Sequence, residues 1–224
     1  RRLEPFWHVR GKASYAYERN RSYTVPSSSP DVEALTINGT RYDGASAPQR
    51  TFAVPVLEHC RASFTSESFT DGLTGAPVPE GPALITGPRS EVGDPQTLTA
   101  NETLAEPPEH RASFVVRQVM SQIMKPVQAD RVLEEAVELE VTDLYYRPWW
   151  AFEFTWQGKG KQGVVEIDAI TGNTRQGKPL TGQIRGMFNR EVLFDVGADT
   201  VGLFVPGGSI AVKIAKAAID SSKK

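Results

Sequence analysis

The chain has 224 residues, of which 39% are hydrophobic and 23% charged, enough apolar material for a core of ordinary size and too much for wholesale disorder. A mean hydropathy of −0.34, with no apolar run reaching the roughly eighteen residues a membrane helix needs, excludes a transmembrane segment and leaves a soluble globular chain. A net charge of −2 removes any global electrostatic case for nucleic acid, and the single Cys60 excludes an internal disulfide. The chain starts at Arg1 without a basic, then apolar, leader, which reads as a processed or truncated product. Cytoplasmic localisation follows, with export as the alternative.

Residues 3–64 are rich in aromatic and β-branched residues, with turn signals at Asn20, Asn38-Gly39 and Asp43-Gly44, so they are expected to form short antiparallel strands. In the first strand Trp7, Val9, Gly11, Ala13, Tyr15 and Tyr17 alternate with His8, Arg10, Lys12 and Ser14, predicting one apolar face and one wet face that carries His8. From Ser66 to Glu109 lie seven of the sixteen prolines, five of the nineteen glycines and eight acidic residues against a lone Arg89. Such a segment sustains neither helix nor sheet for long, and it reads as an acidic loop and domain boundary.

Beyond it, Val116, Val119, Met120, Ile123 and Met124 recur at helical spacing until Pro126, predicting an amphipathic helix. From Val141 the period changes to two. Trp150, Phe152, Phe154 and Trp156 then share one strand face, which is expected to be core, with Ala151, Glu153 and Thr155 opposite. Gly158 to Gly163 makes a turn, and Val164 to Ala169 returns as a second strand ending at Thr171-Gly172. Val192 to Val205 is apolar, Pro206-Gly207-Gly208 breaks the chain, and Ser209 is placed to cap a helix carrying Ile210, Ile214, Ala217 and Ala218.

The two aromatic strands open alike, with Pro5-Phe6-Trp7 in one and Pro148-Trp149-Trp150 in the other, which suggests an internally duplicated strand start. The expected fold class is therefore α+β: antiparallel sheets in two related aromatic-anchored β units with packed helices and a C-terminal Gly-rich helical extension. The expected domains are an N-terminal β unit at 1–70, the acidic linker at 71–109, a helix plus aromatic hairpin at 110–190, and the apolar segment and helix at 191–224.

Candidate chemistry is sparse. Gly158-Lys-Gly160-Lys-Gln-Gly163 matches a dinucleotide-binding pattern, but a strand follows it where the phosphate site needs a helix N-terminus. His59 and Cys60 are adjacent and point to opposite strand faces, so they cannot share a proton, and Cys60 reads as a small buried thiol. His8 and His110 have no companion at ligand spacing, so no metal and no cofactor is expected. Glu134, Glu135, Glu138 and Glu140 read as a solvated face. Residues 156–190 carry six Lys/Arg against Glu166 and Asp168, a basic patch around Lys159, Lys161, Arg175 and Lys178 with Trp156 among them. In the C-terminal segment Val201, Leu203, Phe204, Ile210 and Ile214 are the candidate protein-contact residues.

The stretch Val164-Val-Glu-Ile-Asp168-Ala-Ile-Thr-Gly172-Asn, with its upstream helix and aromatic strand, resembles the ending of PepSY-type domains. The resemblance implies a helix packed on a hairpin in a non-catalytic module. The strand from Leu144 to Phe154, the Pro5-Phe6-Trp7 opening and the Gly-rich C-terminus together look like a group of uncharacterised bacterial proteins that often carry an N-terminal zinc ribbon, absent here. The preferred expectation is a non-catalytic binding or assembly module, with a protein partner or a second copy bound. Membrane-surface contact through the C-terminal helix is a further option. The rivals are a hydrolase using carboxylates in a cleft between the two units and, behind it, nucleic-acid binding through 156–190.

Overall fold

The alternation that starts near Trp7 does not stop at Asn20. The computed structural model describes residues 1–45, 50–99, 103–158, 161–177 and 212–215. In chain order its elements are β1 (Arg2–Pro26), β2 (Ala34–Ile37), β3 (Thr40–Asp43), β4 (Thr51–Asp71), α1 (Gly81–Thr86), β5 (Arg89–Glu91), a 3-10 turn (Pro95–Thr99), β6 (Leu104–Ala105), α2 (Ala112–Ile123), β7 (Arg131–Trp156), β8 (Lys161–Asp168), β9 (Thr174–Gln176) and β10 (Val212–Ala215). Strand accounts for 58% of the described residues, so the fold is mostly β and the α+β expectation with packed helices is overturned. Three strands of 25, 21 and 26 residues carry it. Most strands end after roughly 3–10 residues, and β1 outlasts that because its β-branched and aromatic residues recur past Asn20 with no proline until Pro26. The turn expected at Asn20 is instead mid-strand, its backbone N–H donating to an Asp130 carboxylate oxygen at 2.5 Å.

The main sheet runs in the order β4-β1-β7-β10-β5, with β6 on β1 and the β8-β9 ladder on β7. The chain divides into two compact units whose boundaries differ from those expected from sequence. One combines residues 1–12, 64–124 and 137–224, and the other combines 13–63 and 125–136.

In the second unit Ala13, Tyr15, Phe52 and Val54 are buried. Its hairpin β2-β3 turns at Asn38-Gly39, both with positive φ (49° and 81°), the conformation a two-residue turn between twisted strands requires. Tyr23 and Arg19 both donate hydrogen bonds to Glu58, and this keeps the Glu58 carboxyl below its usual range.

The first unit holds the larger core. Of the predicted stripe on α2, Val116, Val119 and Ile123 are fully buried together with Val115, Met120 is half-buried, and Met124 stands exposed at the C-cap. The buried face of α2 crosses β1 at Gly11, where an added Cβ would lie 3.0 Å from Ile123 and 3.1 Å from Val119, so the glycine lets helix and strand approach more closely than a side chain would without displacing those two. The start of β1 is buried on both faces. His8, expected on the wet side, is enclosed: it stacks on Phe69 at 4.4 Å and lies 2.6 Å from a Glu67 carboxylate oxygen. Residues 71–109 do not form a bare linker either. They supply α1, β5, the 3-10 turn and β6, and they anchor through buried Leu84, Leu98 and Ala105.

At the C-terminal end Val212–Ala215 form a strand, parallel to β7 at Leu144–Tyr146 and antiparallel to β5, where sequence had predicted a helix from Ile210 to Ala218. The β-branched Val212 and Ile214 flanking Lys213 suit a strand between two others better than a solvated helix. Ile210, Ala217 and Ala218 lie outside the described residues, as do Val201, Leu203 and Phe204.

Candidate functional site

Asp71-Gly-Leu-Thr-Gly75 ends β4, and Asp168-Ala-Ile-Thr-Gly172 ends β8. The two turns are built alike. In each, the glycine N–H donates to the aspartate carbonyl at 2.9 Å, and the glycine has φ near +75° (72° and 75°). The aspartate N–H closes the hairpin at 2.8 Å, onto the carbonyls of Ala76 and Asn173. The residue after each aspartate donates to the proline that opens a long aromatic run: Gly72 to Pro5 at 2.8 Å and Ala169 to Pro148 at 3.0 Å. The strand pairs Thr70 with Pro77 and Ile167 with Thr174 occupy matching positions. The duplication suggested by the two proline-aromatic openings thus extends to the turns that clamp them. The copy of the Asp168 turn is visible in sequence only as three shared residues, Asp, Thr and Gly at the same spacing, a short signal that a search for internal repeats can pick up.

The two copies differ in charge. Among the described residues Asp71 accepts from its own turn, Leu73 and Thr74 N–H at 2.8 Å each. Asp168 is buried and accepts Ile170 N–H at 2.9 Å, the Thr171 hydroxyl, and the Arg147 guanidinium through Nε at 3.1 Å and Nη2. Burial by itself would raise the Asp168 pKa, but the bonds from Arg147 and Thr171 outweigh it and hold the carboxyl below its usual range. Arg147 also donates to Glu80 at 2.7 Å, which lowers the Glu80 carboxyl too. Beside this pair, buried Glu166 accepts from Arg2 at 2.7 Å and from Arg175 at 2.7 Å. Glu4 bridges the same two arginines, and Glu106 adds a further contact to Arg2. Arg175, a member of the basic patch expected from sequence, is therefore paired on two sides by carboxylates. Lys161 lies in β8 opposite Trp156, and Lys159 and Lys178 lie outside the described residues.

A cavity of about 370 Å³ opens where the two copies meet within this unit. Its lining comes in matched positions: Glu4 and Arg147 precede the two prolines, Phe6 and Trp149 follow them, and Val78 and Arg175 stand three residues beyond the two turn glycines. Trp149 has the Arg175 guanidinium 3.8 Å and the Arg147 guanidinium 5.2 Å from its ring centre. Its Nε1–H is buried and has no hydrogen-bond partner among the described residues.

The second feature is an aromatic face. Trp150, Phe152, Phe154 and Trp156 do share one side of β7, but they point outward with 50%, 55%, 46% and 62% of their surface exposed, so the expectation that they form core is wrong. The inward side is the one with Trp149 and, across the ladder, Val164, Glu166 and Asp168, where arginines compensate the carboxylates. Across the β7-β8 ladder Phe152 faces Val165, and the Phe154 ring covers Gly163, whose added Cβ would fall 2.6 Å from it. Arg1 lies over Trp150 at 5.8 Å.

The remaining sequence candidates are placed simply. His59 pairs with Glu18 at 3.2 Å, and Cys60 is half-buried and free rather than enclosed. Glu134, Glu135 and Glu140 are exposed on β7. His110 gives its carbonyl to Trp7 Nε1 at 2.7 Å and tilts against Phe114. Among the described residues no group of three or more His, Cys, Asp or Glu side chains is arranged to hold a metal, and no helix is long and apolar enough to cross a membrane. Set against protein-family models, curated proteins and solved structures, the chain finds no match in any of the three.

Proposed function

We propose that the protein is a non-catalytic assembly module that pairs with a second copy of itself through the outward face of the β7-β8 hairpin. The observation that carries the reading is the exposed series Trp150, Phe152, Phe154, Trp156. Read along the strand it is a palindrome, Trp-Phe-Phe-Trp. A two-fold axis between Phe152 and Phe154 sets each Trp against a Trp and each Phe against a Phe, the self-complementarity an isologous contact demands. Four half-exposed aromatic side chains offer on the order of 400 Å² per copy, below the roughly 800 Å² per partner of a stable complex. The expected dimer is therefore weak and concentration-dependent. The likeness to PepSY-type non-catalytic modules belongs to the same reading. So does Glu80, which lines the cavity and titrates below its usual range, the reverse of what a general acid requires.

The test is the mass of the full chain by light scattering across a wide concentration range, beside Phe152→Ser and Trp156→Ser. The expected result is a mass rising toward twice the monomer in the parent and staying monomeric in both variants at unchanged melting temperature. A parent that stays monomeric throughout overturns the reading, as does a dimer that both variants retain. Retention of the parent on lipid vesicles or on a single-stranded oligonucleotide, lost in the variants, would assign the face to that ligand instead.

A further inference from the structure

We infer that Gly163 shapes the outward face of the β7-β8 hairpin into a hollow that receives the Phe152 ridge of the second copy, so that the two copies lock rung into rung in a single register. The lock rests on the reading of that face as a two-fold contact, and Gly163 is the residue that decides its fit.

The Trp-Phe-Phe-Trp series is symmetric in sequence and unsymmetric in relief. Across the β7-β8 ladder Phe152 stands opposite Val165, and Phe154 stands opposite Gly163. A Cβ added at Gly163 would meet the far end of the Phe154 ring, with Cζ at 2.6 Å, Cε2 at 3.1 Å and Cε1 at 3.2 Å. The ring therefore lies down across β8 in the space a side chain would take, the way aromatic residues cover glycines in sheets. At the neighbouring rung Val165 carries a side chain, itself 36% exposed, and Phe152 is left more exposed than Phe154, 55% against 46%. One rung is raised, and the next is lowered.

A two-fold axis lying across the strands between these rungs runs β7 antiparallel to its copy and sets β8 over β8. It brings Phe152 and Val165 over the second copy's Phe154 and Gly163, and the reciprocal contact forms at the same time. A ridge that meets a hollow on one side of the axis meets it again on the other, the reciprocity an isologous contact requires. Sheets packed face to face interdigitate their side chains in just this manner. Moving the axis onto the Phe152 rung sets ridge on ridge, and moving it onto the Phe154 rung sets hollow on hollow. The first overpacks and the second leaves a void, so only the intermediate register fits.

The test is the dimer dissociation constant of the full chain by sedimentation equilibrium. It compares the parent with Gly163→Val, which turns the hollow into a second ridge, and with Val165→Gly, which turns the ridge into a second hollow. Valine suits a strand, and the Phe154 ring it displaces is the free end of a half-exposed side chain, so Gly163→Val should keep the parent's melting temperature. Each variant alone is expected to dimerise at least about tenfold more weakly than the parent, from overpacking in one and lost contacts in the other. Mixed in equal amounts and labelled for energy transfer, the two variants should pair with each other more tightly than either pairs with itself, because ridges then meet hollows at both rungs. Gly163→Val stands as the test if Val165→Gly does not fold. Dimerisation of Gly163→Val at the parent's strength overturns the lock while leaving the dimer in place, and so does a mixture of folded variants that gains nothing. A parent that stays monomeric overturns the dimer itself, and the lock with it.

Discussion

The two repeats share a backbone and part company in what they bury. After the first proline, Phe6 and Trp7 are both enclosed; after the second, Trp149 is enclosed and Trp150 is half-exposed. The first turn aspartate accepts from its own loop, whereas the second also holds an arginine that arrives from the residue before the proline. Glu4 occupies the arginine's place in the first copy, and a carboxylate cannot pair with Asp71. One copy has thus become a core element, and the other a polar site backed by charge. The clamp between turn and proline was kept in both because it uses backbone groups and is indifferent to side-chain change.

The contrast is sharpest at the two aromatic openings. Trp7→Ala removes a fully buried indole and its bond to the His110 carbonyl, and it should cost about 3–5 kcal/mol in denaturant titration. Phe152→Ala on the outward face should cost less than about 1 kcal/mol, as surface positions do. Comparable losses at the two positions would mean that both copies build core after all.

The aspartates come next. Asp168→Asn leaves the guanidinium of Arg147 short of its charge partner in a buried setting, and a loss of about 3 kcal/mol is expected. Asp71→Asn keeps the oxygen that accepts Leu73 and Thr74 N–H, so it should change stability by less than about 1 kcal/mol.

The same asymmetry predicts a pH dependence. The Asp168 and Glu80 carboxyls titrate lower in the folded chain than in the unfolded one. Their contribution is therefore fully present above their ordinary values of 3.8 and 4.5 and is lost as pH falls through the lowered folded values. Denaturant midpoints measured downward from neutral pH should hold steady to about pH 5 and then drop. The drop should be shallower in Asp168→Asn, and an identical slope in the variant would remove Asp168 from the explanation.

The smallest effects lie at the turn glycines. Alanine at Gly172 meets open space and pays only for positive φ, about 1 kcal/mol. Alanine at Gly75 adds a contact 3.0 Å from the His110 ring, so its melting temperature should fall further than that of the Gly172 variant. The reverse order would mean that His110 moves aside freely.

Local signals were legible where local physics decides. The α2 helix, the Asn38-Gly39 turn and the Asp168 turn all follow from spacing or from residues that bond their own backbone. Periodicity also placed Trp150 to Trp156 on one face. It could not tell which face turns inward, because that depends on what lies across the sheet: buried Glu166 and Asp168 are tolerated only through arginines 164 and 21 positions earlier in the chain. A local reading sees acidic residues on a strand and assigns that side to water. His8 was misplaced for the same reason, since the cover comes from Phe69 and Glu67 some sixty residues on. The long strands were hidden because Asn20 scores as a turn residue when the Asp130 carboxylate that receives its N–H is out of view.

The Arg2–Glu166 pair has a consequence in time. Arg2 leaves the ribosome 164 residues ahead of its buried partner. At translation speeds of about 5–20 residues per second, the start of β1 waits roughly 10–30 s for the charge that completes it. Until then Arg2 has Glu4 and, later, Glu106 for company, and the strand it opens has no β7 to lie against. The start of β1 is thus made well before it can be locked, which leaves its Pro-Phe-Trp opening exposed to chaperones, or to the same opening of a neighbouring nascent chain, while the residues up to Glu166 are made.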